Sequence, residues 1–353
     1  MLPLKKSGLK IGLIGALAAD KNSPLGSWRI AADDNTAVSV LEGMQAYDGN
    51  DLRYAKGADV SVGETAFVFE TKINTTDKSG FPEAIRLAKS VDKVVMVLGE
   101  VGFQSGEGRS RTKLDLPGVQ QELLEAVHKA NPNIVLVLNN GRPLSLVWAE
   151  ENIPAIVEAW HLGSQSGHAV AQVLYGDYNP SGKLPMTVPR SVGQVPIYYN
   201  YKNTGRPVIP APDLVFWSHF MDEANTPLYP FGHGLSYTTF SYGDLSVANN
   251  HSTAGEVKVS LEITNTGEVA GKEVAQLYIR DLIAGVTRPV RELKGFEMVE
   301  LEPGASKTVE FILTDKELGY FDNDGEWVVE PGEYEVYVGG SSYADNKEKF
   351  ELK

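Results

Sequence analysis

The chain has 353 residues, 42% apolar and 22% charged, which excludes a disordered or fibrous protein and suffices for two folded domains, or three if one is small. A formal charge of −14 repels polyphosphate and anionic lipid, so nucleic acid and membrane surfaces are not expected partners. The absence of cysteine removes disulfides, thiolate nucleophiles and Cys-based metal centres, and leaves the compartment open.

Near the start, Lys5 and Lys6 precede the apolar run Ile11–Ala19, an arrangement like a secretory leader. Lys10 abuts the run, however, and Ile11–Ile14 reads better as a buried first strand leading into a loop. No apolar stretch reaches the roughly 18 residues of a membrane span. Beyond it, apolar runs alternate with amphipathic stretches, the pattern of strands joined by crossover helices in a mostly parallel sheet. Lys93–Gly99, Asn133–Asn139 and Ala155–Ala159 are expected strands; the first two are continuously apolar, as strands covered on both faces must be. Helices are expected at Asp34–Ala46, Pro82–Ser90, Pro117–Ala130, Leu144–Glu151 and Ser164–Tyr175. In the third of these, Val119, Leu123, Leu124, Val127 and Ala130 share one face. The expected architecture over residues 1–190 is an α/β sandwich with helices on both faces of the sheet.

From residue 191 to 240 the helical period is lost, and Pro196, Pro207, Pro210, Pro212, Pro227 and Pro230 fall among aromatics, as in a long ordered connector. Over 241–353 the period becomes two. Val257, Val259, Leu261 and Ile263 alternate with polar residues, as do Val309, Phe311 and Leu313. Further strands are expected at Val274–Arg280, Val290–Leu301, Trp327–Val329, Glu333–Val338 and Lys347–Leu352. With turns at Asn265-Thr-Gly, Pro303-Gly and Pro331-Gly, these about seven strands suit an all-β sandwich of immunoglobulin or fibronectin type III kind.

Several motif classes are missing. Gly12 and Gly15 do not have the spacing of a dinucleotide fingerprint, and Gly182-Lys183 is followed by leucine, so no phosphate loop forms. His128, His161, His168, His219, His233 and His251 include no pair four apart on one helix, so no zinc site is expected. The segment Ser105-Gly-Glu-Gly-Arg-Ser-Arg111 is more informative, because it follows the carboxyl end of a central strand, where open α/β sheets place their ligand sites. Glycines on both sides allow Glu107 to stand at a loop tip, close to a reacting partner, as a proton donor requires. The same segment also fits an ordinary solvated loop. Gly26-Ser-Trp28 is similarly two-sided, either core packing or a platform for a sugar ring. Tyr175-Gly-Asp-Tyr-Asn-Pro-Ser-Gly-Lys-Leu-Pro185 reads as a tight loop between domains.

Taken in order, Leu2-Pro-Leu, Gly26-Ser-Trp28, Gly99-Glu100, Ser105-Gly-Glu-Gly, Ser110-Arg111, Gly141-Arg-Pro143, Gly176-Asp-Tyr-Asn-Pro-Ser-Gly-Lys-Leu-Pro185 and Tyr229-Pro-Phe-Gly-His-Gly-Leu-Ser-Tyr237 resemble the carboxyl-terminal part of glycoside hydrolase family 3. Within that family the motifs resemble those of periplasmic β-glucosidases. This resemblance implies a preceding (β/α)8 barrel that bears a nucleophilic Asp, followed by the α/β sandwich and a fibronectin type III-like domain. It implies a retaining mechanism with two carboxyls about 5–5.5 Å apart and no cofactor. Glu107 would be the acid/base, Trp28 would line the leaving-group side, Arg111 would orient the loop or the carboxylate, and Glu100 would be structural or would support the residues that line the site.

No Ser-Asp-Trp-like nucleophile motif occurs in the chain, which is therefore expected to be inactive, or nearly so, without a barrel domain or chain. Implied partners are β-linked glucosides or oligosaccharides, and the implied location is the periplasm. The face that would meet a barrel is expected to be apolar, with self-association as a consequence, centred on Tyr198, Tyr199, Tyr201, Phe216, Trp217 and Phe220. The competing reading is a non-catalytic carbohydrate-binding or interaction module.

Overall fold

Runs of valine, isoleucine and leucine build the sheet of the first unit. Strands β1 (Lys10–Ile14), β2 (Asp51–Ala55), β3 (Lys93–Gly99), β4 (Ile134–Asn139) and β5 (Ala155–Glu158) pair in parallel, in the order β2-β1-β3-β4-β5. The computed structural model describes residues 1–206, 215–249 and 256–353. They fall into two units, Met1–Tyr178 with Arg190–Gly193, and Asn179–Pro189 with Gln194–Lys353.

In the first unit, Ile11, Leu13, Val95, Val97, Val135 and Val137 point to one face, where they pack with Val40, Met44, Val170 and Leu174. Those last residues come from α1 (Val40–Gln45) and α5 (Ser166–Leu174). The opposite face is covered by α2 (Phe81–Lys89) and α3 (Gln120–Ala130), which Asn131 ties together by donating to the carbonyls of Ala88 and Val91. The run that resembles a leader, Ile11 to Ala18, is core strand and turn, with Ile11, Leu13, Ile14, Leu17 and Ala18 buried. Among the described residues no helix is long and apolar enough to cross a membrane.

Four helices begin later than their sequence pattern suggests, α5 by two residues. α1 starts at Val40 and not near Asp34, because Ser39 caps it. The Ser39 hydroxyl accepts from the Glu42 amide at 3.2 Å, and the Glu42 carboxylate accepts from the Ser39 amide at 2.8 Å. Asn35, with φ +61°, is not helical. α3 starts at Gln120 because Gly118 takes the left-handed conformation at φ +65°. α4 is Val147–Asn152; upstream, the Ser145 amide donates to the Leu114 carbonyl at 2.8 Å instead of entering a helix. β2 was not expected from the pattern: it is a short edge strand carrying Asp51 and Arg53, with Leu52 and Tyr54 packed inward.

The second unit is antiparallel. Its strands are β6 (Phe240–Tyr242), β7 (Ser246–Asn249), β8 (Val257–Asn265), β9 (Gly271–Asp281), β10 (Glu292–Leu301), β11 (Ser306–Leu313), β12 (Tyr320–Phe321), β13 (Trp327–Val328), β14 (Gly332–Gly339) and β15 (Lys347–Leu352), with a short α6 (Asp315–Leu318). One sheet has the order β10-β9-β14-β15 and the other β11-β8-β6, with β7 also on β8. The alternating positions Val257, Val259, Leu261, Ile263, Val309, Phe311 and Leu313 form its core with Leu277, Ile279, Tyr334 and Val336. β10 starts at Glu292, because the Val290 amide donates to Tyr201 instead.

The connector pattern includes Pro207, Pro210 and Pro212, which lie outside the described residues. Of its aromatics, Tyr199 stacks on Phe231 at 4.4 Å and meets the edge of Tyr278, while Tyr198, Tyr201, Phe216 and Phe220 are exposed. The Gly182-Lys183 motif is structural. The Lys183 ammonium donates to both oxygens of buried Glu273, at 3.0 and 3.1 Å, and to the Gly234 carbonyl at 3.1 Å.

Candidate active site

Because all the strands of the first sheet are parallel, their carboxyl ends share one edge and the loops that follow them gather there. The strand order reverses between β1 and β3, the crevice position that open α/β sheets use for ligands. Gly26-Ser-Trp28 lies in the loop after β1, and Ser105–Arg111 in the loop after β3.

These two loops touch. Gly106 adopts φ +113°, and a Cβ there would stand 2.6 Å from the Ser27 hydroxyl and 3.9 Å from the Trp28 indole nitrogen, so only glycine allows this approach. The next residue, Glu107, is exposed at the tip. Trp28 is 62% exposed, its ring 5.9 Å from that of Phe67. Phe67 meets the edge of Phe103, the Arg109 guanidinium lies over it at 5.7 Å, and Arg109 also donates to the Phe67 carbonyl. The loop that carries Glu107 and the loop that carries Trp28 thus meet beside Phe67.

Arg111 turns inward, away from the tip. Its guanidinium donates to Glu100 Oε1 at 2.9 Å and to the Asp115 carbonyl at 2.8 Å. Glu100, directly after β3, is fully buried. It also accepts from Arg142, whose Nε stands 3.0 Å from Oε1 and 3.2 Å from Oε2, and from the Gly141 amide at 3.3 Å. Arg142 in turn donates to the Gln104 carbonyl.

The sequence reading passed over a second polar group at the same edge. Glu158 ends β5, and its carboxylate accepts from the Trp160 amide at 3.1 Å and from Asn140 at 3.3 Å. Burial pushes the Glu158 carboxyl up to about 8, these two hydrogen bonds oppose the rise, and the nearby Glu100 charge adds to it. Burial also lowers the His161 imidazole. That ring fits between Gly26 and Gly141: a Cβ on either would come within 3.2 Å of it. A clue was present, since Glu158 lies in an expected strand and His161 just beyond it, but their partners come from different loops.

The chemistry available is that of an exposed carboxyl on a loop that touches the one bearing an exposed indole and that is footed in a buried ion-pair cluster. A profile described as the Glycosyl hydrolase family 3 C-terminal domain matches residues 1–237, and one for a Fibronectin type III-like domain matches residues 273–342. The chain is 42% identical to the Periplasmic beta-glucosidase of Salmonella typhimurium, over 99% of this chain and 47% of that protein. It is 43% identical to the Beta-xylosidase of Formosa agariphila, over 98% and 46%. It thus spans about half the length of the curated relatives it matches. The crystal structure of a β-glucosidase from Listeria innocua in complex with glucose superposes with a TM-score of 0.89 at 34% identity, covering 100% of this chain and 47% of that one. The chain belongs to glycoside hydrolase family 3, of which it carries the C-terminal domain and a fibronectin type III-like domain.

Proposed function

We propose that the chain supplies the acid/base carboxyl, Glu107, of a retaining hydrolase acting on β-linked glucosides or oligosaccharides. The nucleophile would be an Asp on a barrel outside these 353 residues. The observation that carries this reading is Glu107 at an exposed loop tip, on a loop that touches the one bearing exposed Trp28. A protonated Glu107 gives its proton to the glycosidic oxygen as the bond to the anomeric carbon breaks and the nucleophile bonds that carbon. Glu107 then takes a proton from the water that displaces the nucleophile. Trp28 lines the leaving-group side, and Arg111 holds the base of the loop. The barrel supplies most contacts to the reacting ring and so sets the choice of sugar. The names of the relatives favour glucosides, with xylosides as the neighbouring class.

The exposed apolar residues Ile30, Val68 and Phe69 near this edge suit coverage by the barrel, and self-association when it is absent. The Salmonella relative's name supports a periplasmic location. Turnover of 4-nitrophenyl β-glucoside by the purified chain, with and without a matching barrel, tests the division of labour. Activity is expected only when the barrel is present. Full activity of the chain alone would place a nucleophile within it and overturn this half of the reading. Saturable heat on titrating cellobiose into the chain, with no activity in either form, would favour a binding module.

A further inference from the structure

Glu107 stands on a short loop whose two ends lead to the same buried carboxylate. At one end the Gln104 carbonyl is held by Arg142, and Arg142 is paired with Glu100. At the other end Arg111 is paired with Glu100 directly. Glu100 is itself fixed, since its amide donates to the Asn139 carbonyl at 2.7 Å and its side chain accepts from the Gly141 amide. One carboxylate at the end of β3 therefore joins three segments: its own strand end, the far end of the Glu107 loop, and the turn after β4.

Apolar side chains would fill this space with less desolvation cost, but without fixing direction. Two guanidiniums on one carboxylate allow few arrangements, because each N–H must meet a lone pair in the plane of the carboxylate. Removing that carboxylate leaves two half-buried arginines, Arg111 and Arg142, without their anion, and such a vacancy opens the local structure far more than loss of a surface pair does. Apart from these two ends the tip is held by Arg109 on Phe67; Gly106 leans on Ser27, and Gly108 has open space around its α-carbon.

We propose that Glu100 is a positioning residue for Glu107, holding both ends of the acid/base loop through Arg111 and Arg142. This rests on the assignment of Glu107 as the acid/base, so it is tested in two ways, one of which does not need activity.

The first uses trypsin on the native chain. Cleavage after Arg111 requires its guanidinium to leave Glu100 and enter the protease. Glu100→Gln is expected to speed cleavage at Arg111–Thr112 at least tenfold, with no comparable gain outside the loop of residues 104–112, while Glu107→Gln cleaves as wild type. Should Glu100→Gln fail to fold, Glu100→Asp carries the test, because it keeps the buried charge but draws the oxygens back from Arg111. Unchanged cleavage in the folded variants would overturn the proposal.

The second adds a barrel and compares two aryl β-glucosides. Glu100→Gln is expected to lower kcat at least tenfold on a poor leaving group that needs protonation, less than threefold on a 2,4-dinitrophenyl leaving group that does not, and to leave KM nearly unchanged. Equal losses on both substrates would make Glu100 merely structural and overturn its role toward Glu107. If Glu107→Gln itself shows no dependence on the leaving group, the acid/base assignment fails, and the tryptic result still decides whether Glu100 holds the loop.

Discussion

Glu158 illustrates how a single residue here couples structure to pH. Burial raises its carboxyl to about 8, above the ordinary value that applies in the unfolded chain, so between about pH 4.5 and 8 the folded protein holds a proton that the unfolded one releases. Its contribution to stability is therefore fully present below about pH 4.5 and is lost as pH rises through 8. Glu158→Gln, which cannot ionise, is expected to raise the unfolding free energy from urea denaturation at pH 8.5 by an amount on the order of a few kcal/mol, and to change it little at pH 5. An equal change at both pH values would contradict the assigned protonation. Residues differ in how far their sequence betrays them. The exposed loop-tip position of Glu107 was legible because the flanking glycines and the preceding strand are local features. Glu158 and the pairing of Glu100 with Arg142 were not, because their environment is assembled from the ends of β3, β4 and β5, which lie dozens of positions apart.

At the scale of elements, buried continuous strands were readable from composition alone, and the alternating strands of the second unit from period two. Helix starts were not, because a cap at Ser39 and a left-handed Gly118 override a favourable pattern upstream of each. β2, β6, β7 and β12 also went unread; β2, β6 and β12 are short strands of five residues or fewer, and such strands take their conformation from a neighbour's ladder more than from their own residues. Asn265 shows a turn residue doing more than turning. It is fully buried, its amide donates to the Val269 and Leu301 carbonyls at 2.8 and 2.9 Å, and its oxygen accepts from Thr238 at 2.6 Å. Asn265→Ala leaves these groups without partners inside the fold, and a loss of roughly 2–4 kcal/mol is expected in chemical denaturation. Asn265→Asp, which keeps the acceptor but not the donors, should recover little of it. A loss below about 0.5 kcal/mol for the alanine variant would show that water replaces the amide.

For the whole molecule, both fold classes followed from the switch of hydrophobic period, and the family from ordered motifs spread along the chain. The catalytic constellation is a different matter, since a retaining glycosidase needs two carboxyls and the proposed assignment places one of them here. The most direct test of Glu107 is the leaving-group dependence of Glu107→Gln with a barrel supplied. The expected result is a fall in kcat/KM of about 10²–10⁴-fold on an unactivated β-glucoside, with far smaller loss on the 2,4-dinitrophenyl glucoside and partial recovery with azide. Equal activity of wild type and Glu107→Gln on the unactivated substrate would contradict the assignment.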